Sequence, residues 1–290
     1  MEFYLQALQL SLCLGPLCMG IFISMKIFNI PDITTDGSFT LGASVTAVLL
    51  SRHLSLPLVL VSCMGMGAAA GALTGFIHTR LKIDALLAGI LVMTALYSVN
   101  LVILGRSNLP LIGTASLFGI LTFFSNELYN DLLVAFLLIL ALFLIISYML
   151  RTDFGIAMRA TGNSESMTRS LGINNNRMKI IGLAIANSLT ALSGFLVAQF
   201  QGFADINMGI GIVIVGLGSV LIAQALKTWW KTKSIGGQLA LVLAGSLLFQ
   251  LVLALTLSLG VDPNFLKLVT ALFVLFIVAI PNISTSLKRK

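Results

Sequence analysis

The sequence predicts an all-α fold: a polytopic membrane helix bundle of about nine transmembrane segments. Three observations lead there. Of the 290 residues, 58% are hydrophobic and only 9% are charged, against about 25% charged in a soluble domain. Mean hydropathy is +1.05, more apolar surface than one soluble core can hide but suited to lipid. Most of the 17 basic residues stand between the apolar runs, where they act as topology signals and not as a nucleic-acid footprint.

The apolar segments run roughly over 4–25, 37–51, 56–77, 83–104, 131–150, 179–200, 208–226, 235–257 and 264–281. Several reach the ~20 residues that cross a bilayer. The second, seventh and ninth are short, and at least one broken or re-entrant helix is expected. The opening Met-Glu-Phe-Tyr-Leu lacks the basic region of a cleavable signal, so the first segment is expected to stay as a membrane helix. The third carries Gly67-x-x-x-Gly71 within a run of small residues, a face that lets backbones approach closely. Cys13, Cys18 and Cys63 lie inside apolar runs, are odd in number and lack metal-ligand spacing. They read as small packing residues.

Nine spans with a cytoplasmic C-terminus put Lys26, Arg80, Lys82, Arg151, Arg159, Arg169, Arg177, Lys179, Lys227, Lys231, Lys233, Lys288, Arg289 and Lys290 inside. Only Arg52, Arg106 and Lys267 of the 17 fall outside. Lys and Arg concentrate on the cytoplasmic side of membrane proteins, so this orientation, with the N-terminus outside, is the expected one. Residues 1–290 read as one transmembrane domain with two possible repeats, 4–104 and 179–281. Each repeat starts with a long helix followed by an Asp-containing stretch (Asp32 to Gly37; Asp205 to Gly209) and a short Gly-bearing segment. Their orientations are opposite, as in inverted-repeat transporters.

No G-x-x-x-x-G-K-[ST] is present, so ATP is not expected to bind this chain through a P-loop. His53 and His78 both fall in expected loops, and no His/Cys/Glu group has metal spacing. No catalytic residue and no metal site is expected. The polar residues are more informative. In Lys26–Gly42, Pro31 breaks a helix, and Asp32 and Asp36 are costly at membrane depth unless they face protein or water. Such an unwound stretch reads either as a broken helix beside a solute path or as an ordinary loop. Thr94, Ser98, Asn100, Asn187, Ser188, Gln199, Gln224 and Gln250 interrupt the apolar helices. Side chains of this kind mostly tie helices together. From these two groups, Asp32, Thr34, Asp36, Thr94, Asn100 and Asn187 are the candidate path-lining residues.

Residues 151–179 form the longest cytoplasmic loop and read as two short helices. The first is expected to run from Phe154 and stop at Gly162 as a C′ glycine. Asn163 or Ser164 is expected to cap the second, which ends at Gly172. Ile156, Met158, Met167 and Leu171 give these helices apolar residues, suited to a groove on a soluble partner.

The run Gly155-Ile156-Ala157-Met158-Arg159-Ala160-Thr161-Gly162-Asn163, followed by Ser170-Leu171-Gly172-Ile173-Asn174, resembles the coupling loop of ABC-importer permeases of the branched-chain amino acid and ribose type. The small-residue helix Ile185 to Gly194 follows, as in that family. Ile30 to Phe39, Leu86 to Asn100 and Arg106-Ser107-Asn108-Leu109-Pro110 resemble a subgroup linked to tryptophan or tyrosine uptake. The resemblance covers most of the chain. It implies a homodimeric pore in the bacterial cytoplasmic (inner) membrane, contacting lipid and no nucleic acid. It also implies two separate ATP-binding cassette subunits and an extracytoplasmic solute-binding protein. Phe154, Arg159, Ala160, Thr161, Gly162 and Asn163 would then couple to the ATPase. ATP and magnesium would sit on that partner, leaving no cofactor here. The alternatives are an ion-coupled secondary transporter using Asp32 and Asp36, and a structural membrane subunit without a path.

Overall fold

The computed structural model describes residues 2–287 apart from 115, 123, 125, 233, 263 and 264. Lys233, Lys288, Arg289 and Lys290, part of the charge reading, lie outside the described residues. The chain is an all-α polytopic bundle. α1 (Glu2–Ile21) widens into a π-helical stretch, Phe22–Ile27, and ends in a non-helical linker over residues 28–33. Then come α2 (Thr34–Ser51), α3 (Leu56–Arg80) and α4 (Ala85–Leu104). The strand β1 (Asn108–Pro110), one helical turn α5 (Leu117–Ile120) and α6 (Glu127–Met149) follow. Two short helices, α7 (Asp153–Asn163) and α8 (Glu165–Ser170), lead into α9 (Asn175–Gln201) and β2 (Phe203–Asp205). The chain closes with α10 (Ile212–Trp230), α11 (Ile235–Ser258) and α12 (Leu266–Leu287).

Each of the nine apolar segments holds a helix. Six of the described helices are long and apolar enough to cross a membrane, α1 with its π stretch, α3, α4, α6, α9 and α11. The apolar parts of α10 and α12 are shorter. α2 is less apolar, because its sequence is full of hydroxyls. Thirteen of its side chains or glycines between Thr34 and Ala47 are buried, and it sits among α3, α4 and α9. β1 and β2, which the apolar pattern did not announce, pair antiparallel with Leu109 opposite Ala204. This clasp joins the ends of α4 and α9.

Small residues set the packing. α3 lies along α9 through the Gly67/Gly71 face. A Cβ on Gly71 would run into the Leu183 carbonyl, and one on Gly67 into the Ala191 side chain and the Asn187 carbonyl. α2 meets α9 in the same way, Gly42 lying against the Ala191 backbone. All three cysteines are free and buried, and the Cys63 thiol donates to the Ala191 carbonyl at 3.1 Å. Gly71→Val should therefore overpack the α3–α9 contact at a cost of about 1–3 kcal/mol or more. The expected readout is a lower thermal midpoint of the purified protein in detergent. An unchanged midpoint contradicts this contact.

The ends of the bundle differ in charge. Lys26 and Lys227 line one crevice with Gln224 and Gln238, and the Arg151 guanidinium lies beside Gly236. Asn29, next to Lys26 in the chain, reaches Gly162 in α7. One end therefore gathers Lys26, Arg151, Lys227 and the α7–α8 pair, while the strand clasp occupies the other.

Candidate functional site

Ordinary helix chemistry makes the linker between α1 and α2 special. Pro31 cannot continue a helix, and Asn29 adopts φ +55°, a left-handed conformation that Asn tolerates. The chain therefore unwinds inside the protein, where every polar group needs a partner. Asp32 is 3% exposed. One carboxylate oxygen accepts from the Thr34 backbone N–H at 3.0 Å, and the other from the Asn187 amide at 2.7 Å. Asn187 in turn accepts from the Ser38 hydroxyl at 2.7 Å and donates to the Leu183 carbonyl at 3.0 Å. The hydroxyls of Thr34 and Thr74 bond at 2.7 Å. Asn187 lies near the middle of α9, so this network links α2, α3 and α9 deep in the bundle.

Asp36 faces elsewhere. Its two carboxylate oxygens accept from the backbone N–H groups of Gly211 and Val213, both at 2.9 Å. It thus caps the first turn of α10, where free N–H groups and the helix dipole favour an anion. Gly209 packs on the Asp36 carbonyl and the Thr40 hydroxyl. Since Ser38 is level with the middle of α9, residues 206–211 descend from the clasp to mid-depth, and α10 starts there. α10 is thus a broken span, of the kind the short seventh segment implied.

The six candidate path residues separate into groups. Asp32, Thr34 and Asn187 meet in one network, and Asp36 latches α10. Asn100 is buried and donates to the Gly37 carbonyl at 3.2 Å, its own carbonyl oxygen having no partner among the described residues. Thr94 does not join them. It is exposed, and its hydroxyl bonds back to the Ile90 carbonyl at 2.8 Å, the usual fate of a hydroxyl inside an apolar helix. Ser38 and Thr74 belong to the network but were absent from the candidates. Hydroxyls four residues apart in α2, Thr34 and Ser38, were the available signal.

The 151–179 loop forms two short helices, as expected, with α9 starting earlier than expected at Asn175. Ser164 caps α8, its hydroxyl accepting from the Met167 N–H at 3.4 Å, and Gly172 has φ +79° beyond its end. Gly162 corrects the reading of it as a C′ glycine. It lies within α7, which ends at Asn163 with the extended Ser164 as its cap. The physical reason for glycine is proximity: a Cβ there would strike the Ile27 backbone carbonyl. The Gly162 carbonyl also accepts from the Asn29 amide at 3.1 Å. Thr161 is buried as well, its hydroxyl bonding the Ala157 carbonyl at 2.8 Å. Thr161 and Gly162 thus dock α7 on its own chain, and neither faces outward. Phe154, Arg159 and Ala160 are half-buried and Asn163 is exposed. The apolar side chains most free to meet a partner are Ile156, Met167 and Leu171, exposed to 50%, 62% and 65%.

Both helices are pinned. α7 rests on the π stretch and linker. α8 is tied to α9 by Thr168 and Asn175 (2.8 Å), by the Asn175 amide on the Glu165 carbonyl (2.7 Å) and by the Lys179–Glu165 ion pair (2.6 Å). The half-exposed ion pair adds little, whereas the buried bonds fix the geometry.

A family model described as branched-chain amino acid transport system / permease component matches residues 3–279. The chain belongs to this permease family. It is 37% identical over 279 residues to the tyrosine transport system permease protein of Clostridioides difficile (strain R20291), covering 96% of this chain and 91% of that one. It is 26% identical over 254 residues to the ribose import permease protein RbsC of Escherichia coli (strain K12), covering 87% and 77%. It is 25% identical over 242 residues to the autoinducer 2 import system permease protein LsrC of Escherichia coli O9:H4 (strain HS), covering 75% and 66%. The chain is a multi-pass membrane protein of an ABC-type importer family.

The permease also has an open-sided cavity of about 630 Å³ on the clasp side, between α1, α2, α9, α10, α11 and the start of α12. Phe39, Phe200 and Phe203 line it, with Asp205, Gln201 and Gln250 among its polar walls. Met208 and Ile212, beside the Asp36 latch, belong to the same lining.

Proposed function

We propose that this chain is the membrane-spanning permease subunit of an ATP-driven importer, forming the translocation path for a small polar solute. An amino acid, and an aromatic one, is the favoured solute, supported by the name of the 37%-identical relative. Two copies form the pore, two ATPase subunits bind beneath their α7–α8 pairs, and an extracytoplasmic binding protein delivers solute. ATP and magnesium bind the ATPases. The subunit lies in the bacterial cytoplasmic membrane with its N-terminus outside and C-terminus inside, supported by the clustering of Lys26, Arg151, Lys227 and α7 at one end.

The observation that carries this reading is the two-sided nature of α7. One face is sealed onto Ile27 and Asn29 through Gly162, while Ile156 faces outward beside the exposed Met167 and Leu171 of α8 and the turn after it. Force applied by a partner passes to the linker over 28–33. From there it reaches α9 through Asp32 and Asn187, and α10 through Asp36. Alternating access follows when the partner binds one arrangement of these helices better than the other.

A two-half construction is part of this reading. α2 packs on α3 and α4 as α10 packs on α11 and α12, and α3 meets α9 as α11 meets α1. These matched contacts support repeats over 4–104 and 179–281. Membership of the permease family favours this reading over the ion-coupled alternative.

Ile156→Asp should abolish co-purification with the ATPase subunit, since it puts a charge in an apolar contact, while the thermal midpoint of the permease stays unchanged. Wild-type co-purification of the variant contradicts the docking face.

A further inference from the structure

Gln250 is 6% exposed, lines the clasp-side cavity, and makes no side-chain hydrogen bond to any described residue. Its amide is open to the cavity, where its carbonyl can accept and its N–H₂ can donate to a bound molecule. Gln250 stands eight positions before the α11 end at Ser258, which sets it about 12 Å into the bundle. The walls around it are apolar and aromatic, with Phe39 and Phe200 among them. Among the described lining residues there is no Lys or Arg, and the one charged side chain is Asp205, held at the rim by the strand clasp. The Asp205 carboxylate accepts from the Asn207 N–H at 2.8 Å and, more loosely, from the Asn108 amide at 3.5 Å. A carboxylate offers about four lone-pair sites, so acceptor capacity remains. A cavity of about 630 Å³ falls in the size range of small-molecule sites, which pair apolar walls with a few placed polar groups.

Resting on the reading of this chain as a solute path, we propose that the cavity is a solute-holding site inside each protomer. It selects an amine with an aromatic body that bears a ring hydroxyl. Gln250 pairs with the hydroxyl, Phe39 and Phe200 enclose the ring, and Asp205 faces the ammonium. A site built to hydrogen-bond a hydroxyl rejects the analogue lacking it, because its own polar group is then left unpaired. With no cation among the described lining residues, solutes that carry a carboxylate without an amine are disfavoured.

The test is equilibrium binding of tritiated L-tyrosine to the full-length protein in nanodiscs, with unlabelled competitors. L-Tyrosine and tyramine should compete, L-phenylalanine about tenfold more weakly (1.4 kcal/mol), and 3-(4-hydroxyphenyl)propanoate not at all. Gln250→Leu should erase the preference for tyrosine over phenylalanine while phenylalanine binding is retained, which also reports an intact fold. The proposal is overturned by absent saturable binding, by equal affinities in the wild type, by a preference surviving in Gln250→Leu, or by competition from the propanoate equal to that of tyramine. ATP-dependent tyrosine uptake by the reconstituted complex separates the two levels. Uptake with unaltered selectivity in Gln250→Leu sinks the site and leaves the importer reading standing. No ATP-dependent uptake in the wild type removes that reading and the site with it.

Discussion

Asp32→Leu should be the most damaging single substitution in the membrane domain. It strips partners from the Thr34 N–H and the Asn187 amide, both buried. Each N–H that loses its acceptor costs about 1–3 kcal/mol. Hydrogen bonds between membrane helices average only about 0.6 kcal/mol when the unfolded chain finds other partners. Here one carboxylate serves two donors at a helix start, so the higher figure applies. Asp32→Asn keeps one acceptor and turns an N–H₂ toward the second donor, so it should lose about half as much. The measurement is the thermal midpoint of detergent-purified protein for both variants. The expected order is wild type above Asp32→Asn above Asp32→Leu. Equal midpoints for wild type and Asp32→Leu contradict the network.

Gly162→Val should separate ATP hydrolysis from transport. Its side chain would meet the Ile27 carbonyl and the Phe28 backbone, forcing α7 off the π-helical stretch that follows α1. Overpacking of this kind costs about 1–3 kcal/mol, paid at a surface helix and not in the spanning core, so the domain still folds. In proteoliposomes containing the whole complex, solute moved per ATP should fall at least about tenfold, the effect of 1.4 kcal/mol on an equilibrium, while the ATPase still hydrolyses ATP. Wild-type stoichiometry in Gly162→Val contradicts transmission through this contact. Asn29→Ala removes only the amide bond to the Gly162 carbonyl and should give a milder loss in the same assay.

Much of the fold could be read from the chain because lipid leaves few options. Apolar runs of sufficient length must be helices, and all nine runs are. The Gly67/Gly71 face was legible for the same reason, since small residues at that spacing only make sense against another backbone. What the sequence concealed was direction in space. Gly162 followed by Asn163 has the composition of a helix end, yet the helix continues through it, because proximity to Ile27 and not a positive φ requires the glycine. Thr94 has the same chemistry as Thr34, but periodicity in an almost wholly apolar helix cannot say which face looks inward. Asp36 illustrates a third kind of gap. Its role is to cap α10, and the helix it caps begins 176 positions later, at Ile212. The exposed apolar face of the loop was visible as composition in Ile156, Met167 and Leu171. Thr161, between them, turned out to be an inward anchor, which only the packing of α7 on α1 could decide.

Reconstitution with a choice of energy source is the most direct test. The permease, with its ATPase subunits and solute-binding protein, is placed in liposomes and supplied either with internal ATP or with an imposed proton or sodium gradient. Uptake should require ATP, the ATPase subunits and the binding protein, and should proceed without any ion gradient. Uptake driven by an ion gradient through the permease alone would contradict the importer reading and restore Asp32 and Asp36 as coupling groups.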